Sequence, residues 1–199
     1  MPLNKNTKRK NLPPGQTPIK HILRWGIDHR PITESIPKID LKNWTLIIDG
    51  EVNNPLKIGW NDFLKLPKVE SVSDFHCVEG WSALGCRWEG VSFSYIVLLV
   101  KPKENAKFVS FECADGYMTS LSLEELLEDN VLLAYKLGGK FLEEGLGKPL
   151  RLVVPDKYAY KSAMWIIRIK FTGKKELGYW ESRGYSDAAD VWKNDRYSR

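Results

Sequence analysis

The residues best placed to do chemistry sit in Asp74-Phe75-His76-Cys77-Val78-Glu79-Gly80-Trp81-Ser82, which sets one thiol among a carboxylate, an imidazole, a glycine and an indole. A thiol in that company can act as a nucleophile, ligate a soft metal, or simply pack, since free cysteine is among the most buried residue types. A strand-like run from Val69 to Phe75 (VESVSDF) leads into it, and Gly80 allows a tight turn just after it. The thiol of Cys77 is therefore predicted at a strand end. Two other places offer polar groups to a ligand. Arg151 opens the apolar run Pro149-Leu150-Arg151-Leu152-Val153-Val154-Pro155, and the neighbours His29 and Arg30 could reach an anion.

The elements that must position these groups are short. Trp44 to Ile48 reads as a strand, Asp49-Gly50 as a turn, and Glu51-Val52 with Leu56 to Ile58 as a returning strand, followed by a brief helix from Asn61 to Leu66. Ser92 is a predicted N-cap for an apolar helix from Phe93 to Val100. Lys107 to Glu112 and Tyr117 to Leu121 alternate as strands around the turn Ala114-Asp115-Gly116, and Ser122 to Glu125 is a capping box opening a helix to Asp129. Val131 to Tyr135, Pro149 to Pro155 and Met164 to Phe171 are further strands, while Thr17 to Asp40 and the chain beyond Gly178 show no period. Many short strands, few helices and no strand–helix alternation predict an α+β fold of mixed β-sheets with short helices.

At 199 residues the chain suits one domain, with a 43% hydrophobic share typical of a folded protein and a generous eight tryptophans. Lys5, Lys8, Arg9, Lys10 and Lys20 account for the whole net charge of +5, so the rest of the chain is formally neutral. Residues 1–16 are expected to be a basic tail and 17–199 the domain. Three cysteines, Cys77, Cys86 and Cys113, cannot all pair and suggest a reducing compartment. With no apolar leader and no run of eighteen apolar residues, a cytoplasmic protein is expected. Gly145-Leu146-Gly147-Lys148 lacks the remainder of a phosphate-loop pattern.

Taken in order, several pieces resemble the molybdopterin-binding domain of the sulfite oxidase family, closest to its small stand-alone prokaryotic members. They are Leu12 to Gln16 (LPPGQ), Asp74 to Ser82, Trp88 to Val91 (WEGV), Asp115-Gly116-Tyr117, Leu132 to Tyr135 (LLAY), Pro149 to Pro155, Tyr158 to Ser162 (YAYKS) and Gly178 to Tyr185 (GYWESRGY). The resemblance implies an oxidoreductase with one molybdopterin, its molybdenum held by Cys77. A thiolate suits that site because it is soft and strongly donating, like the dithiolene sulfurs beside it. It also implies pterin contacts from Arg151, from the closing segment Ser162-Ala163-Met164, from His29 with Arg30 beside it, and from Asp115, with Tyr117 donating a hydrogen bond to an oxo or substrate oxygen. Two positions depart from the family pattern. Met164 stands where lysine usually ends the closing segment, making Lys161 the candidate replacement cation, and Leu146 stands where histidine or asparagine is common five residues before Arg151.

The implied reaction is oxygen-atom or two-electron transfer, either sulfite oxidation or reduction of an S- or N-oxide, by a monomer that exchanges electrons with a separate partner. Arg24, Arg30 and Arg87 are candidates for holding an anionic substrate. Two other classes compete: a polyanion-binding module using the basic tail, and a metal-independent thiol enzyme with Cys77 as nucleophile and His76 or His29 as base. A zinc site from His76, Cys77, Cys86 and Cys113 is disfavoured by its spacing.

Overall fold

The computed structural model describes residues 12–32 and 35–198. Residues 1–11, with Lys5, Lys8, Arg9 and Lys10 of the predicted tail, lie outside the described residues.

Strands are numbered in chain order. One sheet is organised around β5 (Trp81–Ser92), one edge of which pairs along most of its length with antiparallel β4 (Val69–His76). The other edge takes β1 (Thr17–Ile19) in parallel at its start and β8 (Leu132–Leu137) antiparallel at its end. β9 (Lys140–Phe141) and β10 (Arg151–Val153) extend the sheet from β8. The second sheet has the order β3-β2-β11-β6-β7, from β2 (Thr45–Gly50), β3 (Leu56–Gly59), β6 (Phe108–Cys113), β7 (Met118–Ser122) and β11 (Ile166–Thr172). The helices are α1 (Trp60–Phe63), α2 (Phe93–Val100) and α3 (Leu123–Leu126). This is the α+β arrangement of mixed sheets with short helices that the sequence predicts.

The main core lies between the two sheets. Leu133 and Val91 from the first sheet meet Leu46, Ile48, Phe111, Ile169 and Phe171 from the second, with Phe93 and Ile96 of α2 among them, all fully buried. Successive residues of β8 point to opposite faces, so Leu132 and Ala134 turn away from that core into a second cluster with Trp88, Phe75 and Val153. A strand buried on both faces reads as a continuous apolar run, which is why Val131 to Tyr135 is legible.

Helix α2 has the predicted bounds: the Ser92 hydroxyl accepts the Tyr95 amide at 3.3 Å and Lys101 ends the helix in the left-handed region. The capping box at Ser122 is formed in full, although α3 stops at Leu126 rather than Asp129. β2 runs through the predicted turn at Asp49-Gly50, and only Val52 of the expected Glu51-Val52 strand bridges, to Pro102. The twelve-residue β5 is the largest element the sequence hides. Its register shifts at Gly90, where a side chain would collide with the Leu133 carbonyl. Glycine there lets β8 approach closely.

Candidate functional site

Three chain reversals bring the candidate residues together. Cys77 occupies the turn between β4 and β5, where its carbonyl accepts the Gly80 amide at 3.0 Å and its amide donates to the Trp81 carbonyl at 2.8 Å. Asp115 lies in the turn between β6 and β7 and accepts the Tyr117 amide at 3.0 Å. Arg151 begins β10, and the return from β10 to β11 lays Ser162-Ala163-Met164 along its edge: Leu152 donates to the Ala163 carbonyl at 2.8 Å, and Arg151 bridges Met164.

These groups share one cleft, open to solvent at its mouth, with a cavity volume of about 150 Å³. Its wall includes Cys77, His29, Asp115, Tyr117, Arg151, Ser162, Ala163 and Met164. Arg30 is exposed and off this wall. Four of the eight tryptophans, Trp25, Trp81, Trp165 and Trp180, also line it, as do Glu79, Tyr160 and Tyr185. The sequence reading did not assign these residues to the site; the signal was the high tryptophan count. Trp165 is held at φ 57°, an uncommon conformation for a bulky residue, with its indole donating to the Glu144 carbonyl at 2.8 Å.

Arg151 is 2% exposed, yet no carboxylate among the described residues pairs with it. Its guanidinium donates to the Leu146 carbonyl at 3.1 Å, lies over the rings of Phe75 and Trp88, and leaves Nε without a partner. Burial lowers its pKa to about 10, so it stays charged at neutral pH. Because Leu146 orients it through the backbone, the departure from the family's histidine or asparagine at that position does not cost Arg151 its anchor. A buried cation on a cleft wall with no carboxylate partner fits a ligand that brings its own negative charge.

At Cys77 the Sγ lies 3.8 Å from Glu79 Oε2, which also accepts the Trp81 indole at 3.2 Å. His29 Nε2 is 3.3 Å from the same oxygen, its ring stacked on Trp81. Burial first, and the Glu79 charge with it, push the Cys77 thiol up to about 12. A thiol so disfavoured as an anion is a poor free nucleophile, and a cation beside it would stabilise the thiolate. Neither proposed base serves it. His76 Nδ1 is bonded to Ser82 Oγ at 2.7 Å and burial lowers its pKa, while His29 Nε2 lies 3.3 Å from Glu79 and makes no hydrogen bond to the thiol. Among the described residues no three His, Cys, Asp or Glu side chains converge as a metal site. A metal at Cys77 would take one ligand from this chain and the rest from a cofactor.

Two sequence assignments are corrected. The Tyr117 hydroxyl, pushed well above the usual phenol range by burial, donates its single proton to the Tyr160 carbonyl at 2.5 Å, so it has none to offer an oxo or substrate oxygen. Lys161 does not replace the family lysine. It is 1% exposed and faces away from the cleft, bonding Glu181 at 2.5 Å, Asp187 at 3.1 Å and the Ser120 carbonyl at 3.0 Å.

Fold and cleft together define a ligand-binding domain with a buried cation at one wall of its cleft and a thiol at another. Residues 33–180 match the model of the oxidoreductase molybdopterin binding domain, and the chain belongs to that family. It is 38% identical over 159 residues to the uncharacterized oxidoreductase YuiH of Bacillus subtilis, covering 80% of each chain. It is 32% identical to the protein-methionine-sulfoxide reductase catalytic subunit MsrP of Campylobacter jejuni, covering 82% of this chain and 60% of that one. It is 33% identical to the putative protein-methionine-sulfoxide reductase subunit YedZ1 of Azospira oryzae, covering 77% of this chain and 58% of that one. The chain thus spans four-fifths of YuiH and about three-fifths of the other two relatives. The sulfane dehydrogenase SoxCD from Paracoccus pantotrophus shares the fold, with a TM-score of 0.66 at 23% identity over 74% of this chain and 42% of its own. The family and fold expected from the Cys77 and Arg151 segments are borne out.

Proposed function

We propose that the chain holds a molybdenum–molybdopterin cofactor with Cys77 as the protein's metal ligand, and that it reduces a neutral S-oxide. The observation that carries this reading is the shared cleft, with the thiol at one wall and the unpaired, buried Arg151 at another. When bound, that cofactor supplies the two-electron, oxygen-atom-transfer chemistry. Arg151 would hold the cofactor's anionic group through its positive charge. His29, Asp115, Ser162, Ala163 and Met164 form the wall along which the pterin would lie. The Ser162 hydroxyl accepts the Val154 amide at 3.1 Å, which holds it in place without using its proton.

The charge of the wall supports this direction of the reaction. Sulfite is an anion and needs a cationic pocket, but among the described residues Arg151 is the one lysine or arginine lining the cleft, and it belongs to the cofactor. Beside Cys77 stand Glu79 and the rings of Trp25, Trp81 and Tyr185. The carboxylate repels an anion, whereas aromatic faces suit a neutral molecule with an apolar body. Neither Arg24, paired with Asp28, nor Arg87, beside Glu70, lines the wall. In the net conversion a sulfoxide takes up two protons and two electrons, its S–O bond breaks, and the products are the corresponding thioether and water. The electrons come from a separate donor. That the relatives YedZ1 and MsrP are named for methionine-sulfoxide reduction supports this direction.

The test is expression in a molybdopterin-competent host, followed by assays of methionine sulfoxide reduction with a reduced viologen dye and of sulfite oxidation with ferricyanide. The expected result is sulfoxide reduction that Cys77→Ala abolishes. Sulfite oxidation without sulfoxide reduction would overturn the direction, and activity independent of molybdenum would overturn the whole reading.

A further inference from the structure

The turn that carries Cys77 is held from outside by residues near both ends of the chain. Gln16 donates from Nε2 to the Cys77 carbonyl at 3.0 Å and accepts at Oε1 from the Ser82 hydroxyl at 2.9 Å. Having given its proton to Gln16, Ser82 can only accept at its 2.7 Å contact with His76, so the His76 proton sits on Nδ1. The chain His76–Ser82–Gln16–Cys77 is therefore directional, and it fixes which end of the Gln16 amide faces the turn.

From the other side, Arg196 donates one Nη to the Val78 carbonyl, the residue after Cys77, and the other Nη to the Gly15 carbonyl at 3.1 Å. Its Nε bonds Asn194 at 2.8 Å and its guanidinium lies 5.5 Å from the centre of the Tyr158 ring. Gly15 sits at φ 68°, a conformation that favours glycine, and a side chain there would push Arg196 Nη2, 2.8 Å away, from its place. The Thr17 amide completes the frame by donating to the Gly80 carbonyl at 2.8 Å. Thus three carbonyls of the turn, those of Cys77, Val78 and Gly80, accept bonds from chain segments that the family model, ending at residues 33 and 180, does not include.

We propose that Gln16 and Arg196 are positioning residues for Cys77: they clamp its turn so that Sγ points into the cleft, and the segments flanking the family domain are thereby part of the site. Backbone bonds within the turn define its shape but not its tilt against the cleft. Two side chains anchored on independent segments set that tilt. The proposal deepens the reading of Cys77 as metal ligand, and its test has one arm that needs no cofactor.

In cofactor-free protein, the rate at which iodoacetamide modifies Cys77 at fixed pH, read by mass spectrometry of the Cys77 peptide, reports how firmly the turn is held. Arg196→Ala and Gln16→Met are each expected to raise that rate at least 5-fold, Arg196→Lys to restore part of the difference, and Arg87→Ala, a surface control, to leave it unchanged. In molybdenum-loaded protein the same two variants are expected to shift the g-values of the Mo(V) electron paramagnetic resonance signal at unchanged metal content. Should Arg196→Ala not fold, Gln16→Met, at a partly exposed position, carries the test. Wild-type modification rates and wild-type g-values in Gln16→Met or Arg196→Ala would overturn the clamp. Absence of molybdenum from the wild-type protein would overturn the metal assignment and leave the alkylation result to decide the clamp.

Discussion

Arg151 and Lys161 are two buried cations ten residues apart, on either side of the same chain reversal, and they have opposite surroundings. Lys161 is enclosed by Glu181, Asp187 and the Ser120 carbonyl, with the Thr119 hydroxyl on the same Glu181 oxygen at 2.6 Å. Arg151 has the carbonyls of Leu146 and Ser162, two aromatic faces and an unused Nε. The first is a charge the fold neutralises for itself, so it holds structure. The second is a charge the fold keeps buried without an anion, at a cost in desolvation, which makes sense when a ligand supplies the anion. Sequence alone offers two cations near one motif, and only the partners tell them apart.

The comparison is broken most severely at Lys161. Lys161→Met leaves Glu181 charged and buried, and is expected to lower the unfolding free energy by about 3–5 kcal/mol. Urea denaturation measures this, and the added change Glu181→Leu should recover much of the loss. Arg151→Met should behave oppositely. The cofactor-free protein is expected to stay within about 1 kcal/mol of wild type, while cofactor retention, read as molybdenum per chain after dialysis, weakens roughly 10- to 100-fold, the worth of about 1.5–3 kcal/mol of charge-assisted hydrogen bonding. If Arg151→Met instead unfolded the protein while Lys161→Met did not, the assignments would have to be exchanged.

Tyr117→Phe sharpens the comparison on a smaller scale. Its hydroxyl ties the turn just before β7 to the Tyr160 carbonyl, so the loss of that bond should cost about 1 kcal/mol of stability. Sulfoxide turnover should fall no more than about 3-fold, whereas loss of a hydrogen-bond donor to the reacting oxygen would cost far more.

The smallest effect is expected at a partly buried pair, Lys157 and Glu125, 2.5 Å apart. Burial alone would raise the Glu125 carboxyl, but the Lys157 ammonium and the Ser122 hydroxyl and amide hold it below its ordinary value. A carboxyl whose folded pKa is depressed contributes stability that is present above its unfolded pKa of about 4.3 and is lost as pH falls below it. Lys157→Met should flatten this acid limb of the stability curve by lowering stability at pH 7 by less than about 1 kcal/mol, with little change in acid where the carboxyl is protonated.

The parts of the fold that local chemistry specifies were legible. Ser92 caps α2 at the predicted residue, the run VESVSDF forms β4 with one further residue, and Cys77 sits at the strand end as expected. What failed depends on partners distant in the chain. β5 does not read as a strand because Ser82, Gly85 and Gly90 interrupt its apolar pattern; β1, β4 and β8 pair with it regardless. Lys161 looks like a cleft cation until Glu181 and Asp187 fold onto it, and the Tyr117 proton looks available until Tyr160 accepts it. Trp25, Trp165 and Tyr185 reach the cleft from three separate segments, so no local motif announces them.

The account rests on Cys77 and Arg151 acting at two walls of one cofactor cleft. Molybdenum and pterin content of the wild-type chain, Cys77→Ala and Arg151→Met, all purified from the same molybdopterin-competent host, tests this most directly. The account predicts about one of each per wild-type chain, metal lost from Cys77→Ala, and both depleted in Arg151→Met. A wild-type chain free of metal and pterin, or variants loaded like wild type, would contradict it.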